Sequence, residues 1–163
     1  MFTKTSALMG LAFACLPFAA FAESQITIHH QYAVSAAGSP SGAAFMVIHN
    51  EGDTADRLID VRSDVAERTE LHTHLMENGI AKMRRVEGGF EIPAGSAHEL
   101  ARGGDHVMLM QLMNPLNEGD TFPLTLVFEQ AGEMVIDVTV QAQAPAMDHS
   151  QHGDMTPMHN HGN

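Results

Sequence analysis

Residues 68–85 read RTELHTHLMENGIAKMRR, and this stretch holds the clearest hairpin signal in the chain. Its centre is Asn78-Gly79, a dipeptide that two-residue hairpin turns favour because both positions tolerate a positive φ. We therefore expect a strand over residues 68–74 to lead into the turn and a strand over residues 81–85 to lead out of it. No helical period runs through the stretch, so an antiparallel hairpin is the unit from which the fold is built outward.

The rest of the sequence between residues 26 and 140 repeats this pattern of strand and turn. Short runs rich in Val, Ile, Thr, Phe and Leu are interrupted about every 8 to 15 residues by Gly, Pro, Asn or Asp. Such spacing is typical of an all-β antiparallel sandwich or barrel. The predicted strands are 26–35, 42–49, 57–62, 68–74, 81–85, 90–92, 98–100, 106–112, 124–128 and 134–140.

The first 22 residues have the composition of a removable secretory signal. Lys4 precedes an apolar region over residues 7–21, which ends in the small-residue motif Ala20-Phe21-Ala22. The apolar run is shorter than the roughly 20 residues of a spanning helix, so we expect no membrane anchor. A lipoprotein signal ending at Cys15 fits less well, because it would cut the apolar region short. We expect export to the periplasm with cleavage after Ala22.

Composition excludes several classes of function. The chain has 20 acidic residues against 8 Lys and Arg and a formal net charge of −12, so it repels nucleic acid. Its single cysteine, Cys15, lies in the predicted signal, which leaves the mature protein without a thiol or a disulfide. A blue-copper electron-transfer site needs a Cys thiolate and is excluded for that reason. No nucleophile with a positioned base is visible, so we expect no enzyme.

The chain is instead rich in soft metal ligands, with 12 Met and 11 His. Alternate residues of a strand share a face, so His106, Met108 and Met110 point the same way. Taken singly, such methionines are ordinary core-filling residues, and we expect Met110 and Met113 to pack in the core. The hairpin strengthens the case for a site, because His72 and Met83 can lie near each other across its turn.

These residues resemble the motif of the periplasmic copper chaperones of the PCu(A)C type. That motif is His, ten residues, Met, about twenty-one residues, His, one residue, Met. It is similar to His72, Met83, His106 and Met108 here, with one extra residue in the second gap. The likeness covers nearly all of residues 26–141. It includes Asn50-Glu51-Gly52-Asp53 with Asp56-Arg57-Leu58, Glu70-Leu71-His72, Met83-Arg84, Ile92-Pro93-Ala94-Gly95, and residues 103–110 with 115–121.

The resemblance implies a cupredoxin-like β-sandwich that binds Cu(I) near one end through these two His and two Met. It also implies delivery of copper toward the dinuclear site in subunit II of cytochrome c oxidase, with an SCO-like thiol protein as a further partner. We expect a monomer, with a metal-bridged dimer as an alternative state. A periplasmic copper buffer or resistance protein, which sequesters copper instead of delivering it, fits the sequence equally well.

The chemistry of the residues agrees with the resemblance. Thioether sulfur and imidazole suit the soft Cu(I) ion, whereas Ca²⁺ and Mg²⁺ want oxygen ligands. His74 competes with His72 for the first ligand position, since the two share a strand face, and the motif spacing favours His72. We expect the remaining histidines of the strand-rich part to be incidental: His29, His30, His49 and His98.

Residues 144–163 differ in composition from the folded domain, which we predict to span residues 23–143. Apart from methionine they offer no large apolar side chain, which predicts a flexible tail. We expect the tail to capture additional copper, as Cu(II) or Cu(I), and to raise its concentration near the folded site. A tail that only aids solubility is the alternative. The candidate ligands in the tail are His149, His152, Met155, Met158, His159 and His161.

Overall fold

The structure, a computed structural model, describes residues 24–36 and 38–141. Within these residues the chain forms ten strands and no helix, so no helix there could cross a membrane. The predicted signal peptide (1–22) and tail (144–163) lie outside the described residues. The strands are β1 (Ile26–Ser35), β2 (Ser41–Asn50), β3 (Asp56–Arg62), β4 (Ala66–Glu77), β5 (Ile80–Arg85), β6 (Phe90–Ile92), β7 (Ser96–Leu100), β8 (His106–Leu112), β9 (Thr121–Phe128) and β10 (Gly132–Val140).

The predicted hairpin is present as β4 and β5. Pairing continues to Glu77 and Ile80, which leaves a turn of two residues. Asn78 and Gly79 have φ values of 53° and 79°, the left-handed conformation at both positions that a type I′ turn requires. The turn dipeptide therefore sets the register of the whole hairpin.

The strands form one sheet in the order β5-β4-β8-β2-β1-β10-β9-β3-β6, and β7 pairs with the second half of β2. Among the described residues the pairings are antiparallel except that of β1 with β10, which is parallel. The sheet folds over on itself and brings β3 near β4 and β6 near β7. The predicted cupredoxin-like β-sandwich is confirmed.

The core lies between the two halves of the folded sheet and is filled largely by alternate residues of its inner strands. Leu124 and Leu126 of β9 are fully buried, and so are Val107 and Leu109 of β8. Full burial of a side chain of this size contributes about 1.5–3 kcal/mol. The even-numbered residues of β8 consequently lie on the opposite face of the sheet, away from this core.

The expectation that Met110 and Met113 pack in the core is wrong, since Met113 is 61% exposed. Met110 is half-buried on the outer face of β8, in register with Ser41 of β2 and Arg68 of β4. The reason is strand alternation, because Met110 has the parity of Met108 and His106 rather than that of Val107. The core of this strand is therefore built by its odd-numbered residues.

A buried aspartate fastens the β9–β10 turn to the start of β3. Asp56 accepts hydrogen bonds from Ser24 Oγ (2.6 Å) and from the backbone N–H groups of Arg57 (2.7 Å), Gln130 (2.9 Å) and Ala131 (2.9 Å). Burial by itself raises the pKa of Asp56, but the four hydrogen bonds together outweigh it and hold the pKa below its ordinary value. Asp56 is therefore ionised and ties three segments together.

Candidate metal site

The predicted ligands lie on one face of three neighbouring strands, β5, β4 and β8. His72 of β4 is in register with His106 of β8, and His74 of β4 is in register with Met83 of β5. Met108 follows His106 by two residues and so shares its face. The structure thus brings all four predicted ligands, together with His74, to the same side of the sheet.

This face opens into a cavity of about 550 Å³. Its lining includes Phe45, His74, Met83, His106 and Met108. The thioethers are accessible, since Met83 is 45% exposed and Met108 is half-buried, while His106 is 2% exposed. The cavity therefore offers two reachable sulfur atoms beside a buried imidazole.

His106 is held as a neutral imidazole with one nitrogen unused. Its Nδ1 lies 3.0 Å from the carbonyl oxygen of Gly104, and because a carbonyl only accepts, Nδ1 carries the hydrogen. Burial lowers the pKa of His106. The bond to Gly104 acts in the opposite direction, but the charges of His74 and His72 lower the pKa further. Nε2 of the neutral ring keeps its lone pair and can bind a metal ion.

His72 is oriented by a carboxylate and also has one nitrogen unused. Its Nε2 lies 2.9 Å from Glu70 Oε2, and because an ionised carboxylate only accepts, Nε2 carries the hydrogen. The bond from His72 lowers the pKa of Glu70. Burial opposes this effect and the charge of Arg85 adds to it, so Glu70 is ionised. The buried Nδ1 of His72 has no hydrogen-bond partner, an arrangement that fits a nitrogen whose partner is a metal ion.

His74 lies nearer to His106 than His72 does. The rings of His74 and His106 are stacked with centroids 5.1 Å apart, whereas those of His72 and His106 are 6.0 Å apart. His74 lines the cavity and its Nδ1 makes only a long contact, 3.4 Å, with the carbonyl oxygen of Gly104. Of the three imidazoles, His74 and His106 line the cavity and His72 does not, so the choice of His72 over His74 stays a prediction.

Two groups that orient the imidazoles were not assigned this role from the sequence. Glu70 precedes His72 by two residues, so strand alternation could have identified it as a neighbour on the same face. The carbonyl of Gly104 has no side-chain signal and could not have been found. Among the described residues, no three or more His, Cys, Asp or Glu side chains are arranged to hold one ion.

A family model matches the strand-rich part of the chain. The family described as "Putative lipoprotein LpqE-like" matches residues 26–140, which is most of the chain. The chain belongs to the LpqE-like family. Its predicted membership in the PCu(A)C group is confirmed as well, because the solved structures similar to this LpqE-like chain include PCuAC domains.

Three solved structures illustrate the similarity. The copper-bound PCuAC domain from PmoF2 is 31% identical, covers 76% of this chain and 97% of its own, and has a TM-score of 0.59. The apo PCuAC domain from PmoF1 is 28% identical, covers 72% of this chain and 94% of its own, and has a TM-score of 0.61. The Cu(I) form of DR1885 from Deinococcus radiodurans is 32% identical, covers 76% of this chain and 83% of its own, and has a TM-score of 0.57.

Two curated relatives extend the comparison. "Putative lipoprotein Lxx21020" from Leifsonia xyli subsp. xyli is 38% identical over 108 residues, which is 66% of this LpqE-like chain and 65% of the relative. "Uncharacterized protein RP573" from Rickettsia prowazekii is 26% identical over 105 residues, which is 64% of this chain and 58% of the relative. The matched region thus spans less than two thirds of either relative.

Proposed function

We propose that this protein is a periplasmic copper chaperone that binds Cu(I) through His72, Met83, His106 and Met108. The observation that carries the proposal is the combination of two imidazoles, each with an unused nitrogen, and two accessible thioethers on one face of β4, β5 and β8. Similar solved structures include a copper-bound domain and a Cu(I) form, which supports copper as the ion.

The donor set favours Cu(I) over the other ions of an exported protein. Neutral imidazole and thioether are ligands for soft Cu(I), whereas thioethers add little for Zn²⁺, whose structural sites normally use thiolates or imidazoles. The depressed pKa of His106 keeps this imidazole unprotonated at neutral pH, so a proton does not compete with the metal. The name of one relative, a lipoprotein, supports export of this chain.

Delivery requires that an acceptor reaches the ion and binds it more tightly. Every residue of the edge strand β5 is exposed, Met83 included, so a partner can approach from this side. We propose an SCO-like thiol protein, subunit II of cytochrome c oxidase, or both as acceptors. A thiolate pair binds Cu(I) more tightly than thioethers do, and each 1.4 kcal/mol of difference shifts the transfer equilibrium about tenfold.

We further propose that the tail captures copper and passes it to the folded site. The position where the described chain ends supports this idea. The N–H of Gln141 donates to the carbonyl oxygen of Ala33, and the next residues of β1, Val34 and Ser35, line the cavity. The described part of the chain thus ends beside the proposed Cu(I) site. A fully extended chain gains about 3.3–3.6 Å per residue, so His149 can reach the cavity from Gln141.

A competition titration with a chromogenic Cu(I) chelator tests the ligand set. Met83→Ala and Met108→Ala should each weaken Cu(I) binding at least tenfold, while Met113→Ala, which removes a methionine that is 61% exposed, should not. Equal affinities in all three variants would end the assignment. Comparing His72→Ala with His74→Ala decides which histidine occupies the first ligand position. Only removal of the true ligand should weaken Cu(I) binding about as much as Met83→Ala does.

A second experiment separates delivery from sequestration. In a strain that lacks this protein, cytochrome c oxidase activity should fall when copper is scarce and recover when excess copper is added. A pure buffer or resistance protein would instead leave oxidase activity unchanged and make the deletion strain sensitive to high copper. The Met83→Ala variant serves as the matched control, because it should fail to restore the oxidase while keeping the fold.

A further inference from the structure

A second group of imidazoles lies toward the far end of β2. The rings of His29 in β1 and His49 in β2 have centroids 5.1 Å apart and are nearly perpendicular, at 88°. The ring of His30 lies 6.4 Å from that of His29. His49 is six residues along β2 from Ala43, the register partner of Met108, which places it about 20 Å from the proposed Cu(I) site.

This His cluster, defined as His29, His30 and His49, differs from the other imidazoles of the domain in its hydrogen bonding. Ring hydrogen bonds to oxygen are made, within the described residues, by the other four: His72, His74, His98 and His106. The rings of the cluster make none of these hydrogen bonds. They are also accessible, since His29 and His30 are exposed and His49 is half-buried.

The backbone of β1 is irregular beside the cluster. The pairing register with β2 shifts between His29 and Tyr32, and His30 has a φ of 55°, which is uncommon for a residue other than glycine. A β-bulge changes the direction in which side chains point, and residues in left-handed conformations often occur at functional sites. The bulge therefore sets the direction of the His29–His30 segment relative to β2.

The distance between His29 and His49 is the one that two imidazoles have on a single metal ion. A nitrogen–metal bond of about 2.0–2.1 Å puts a ring centre about 3.2 Å from the metal, so two rings that bind one ion at angles between about 90° and 109° have centres about 4.5–5.2 Å apart. The surroundings are acidic. Glu99 is in register with Val47, which neighbours His49 on the same face of β2. Glu51 lies near the hydroxyl of Thr27, and Thr27 is the residue in register with His49.

We propose that His29 and His49 form a second metal site, one that takes Cu(II). Imidazole binds divalent first-row ions, and Cu(II) binds most tightly of these. The pair contains no thioether, so it lacks the preference for Cu(I) that the site on β4, β5 and β8 has. Two protein ligands leave the remaining coordination positions to water. The site stands whether or not the His/Met site binds Cu(I), because the two share no residue.

Nuclear magnetic resonance of the ¹⁵N-labelled full chain tests this site residue by residue, which separates it from copper bound by the tail. Cu(II) added without a reductant should broaden the amide signals of Thr27, Val47 and Ala97, which lie beside the pair. His29→Ala and His49→Ala should each remove this local broadening and lower the local Cu(II) affinity at least tenfold. His98→Ala is the matched control and should leave it unchanged, because His98 is bonded to Asp105.

The site is overturned if the three amides stay sharp in the wild-type chain while other signals broaden. It is also overturned if the broadening persists in both His29→Ala and His49→Ala. Signals of β9 and β10, remote from the substitutions, report whether each variant is folded, and His29→Gln provides a milder replacement. Failure here leaves the Cu(I) titration untouched, so the two proposals fail separately.

Discussion

Replacing Glu70 tests whether the unused nitrogen of His72 is a metal ligand. Glu70 Oε2 accepts the Nε2–H of His72 at 2.9 Å, and the two side chains are only 16% and 12% exposed, so solvent screens the contact little. A hydrogen bond to a charged group contributes about 1.5–3 kcal/mol. Removing such a partner from a metal-binding imidazole lowers metal affinity about 10–100-fold, which is about 1.4–2.7 kcal/mol. Glu70→Ala should therefore weaken Cu(I) binding by that factor.

The assay is the Cu(I) competition titration, combined with ¹⁵N chemical shifts of the His72 ring that report which nitrogen carries the hydrogen. Glu70→Gln should lose less affinity, because its amide oxygen can still accept from Nε2. Glu67→Ala, an exposed carboxylate on the same strand, is the control and should bind like the wild type. Wild-type affinity in a folded Glu70→Ala variant would refute the reasoning and would point to His74 as the first ligand.

Three other perturbations follow from the structure. Asp56→Ala should lower the free energy of unfolding by about 3 kcal/mol at pH 7, because backbone N–H donors lose their acceptor. Since the pKa of Asp56 is depressed in the folded state, its contribution to stability is complete above about pH 3.9 and is lost as the pH falls through the folded pKa. Denaturant unfolding curves of the wild type and Asp56→Ala should therefore differ less at pH 3 than at pH 7. Gly89→Ala should destabilise by more than about 2 kcal/mol, because its φ is 68° and a Cβ would overlap the carbonyl oxygen of Leu58. Gly88→Ala, where an added Cβ meets no neighbouring atom, should not destabilise the protein in this way. Equal melting temperatures of the two variants would contradict this prediction. Deleting residues 144–163 should reduce the number of copper ions bound without abolishing the tightest Cu(I) site, and metal analysis that finds the same number would assign the tail no copper.

The sequence was sufficient for the strands and for the hairpin because these depend on local rules. Asn78-Gly79 sets the register of β4 and β5, so the juxtaposition of the two strands follows from the turn. Alternation along β8 similarly places His106 and Met108 on one face. The same alternation places Met110 on the face of His106 and Met108, away from the core. Its apolar side chain alone does not indicate on which face of the strand it lies.

Long-range pairing was beyond local rules. The parallel contact of β1 with β10 joins strands about a hundred residues apart, and no turn or period specifies it. The proximity of His74 to His106 depends on the register of β4 with β8, which also has no local determinant. The carbonyl of Gly104 fixes the hydrogen of His106, yet every residue has a carbonyl, so no sequence pattern marks this one.

The most direct test of the central proposal is X-ray absorption at the copper edge on the chain without residues 144–163, loaded with one equivalent of Cu(I). We predict a Cu(I) ion with two sulfur and two nitrogen neighbours, and the loss of one sulfur neighbour in Met83→Ala and in Met108→Ala. A spectrum with nitrogen or oxygen neighbours alone, or one that neither substitution changes, would contradict it.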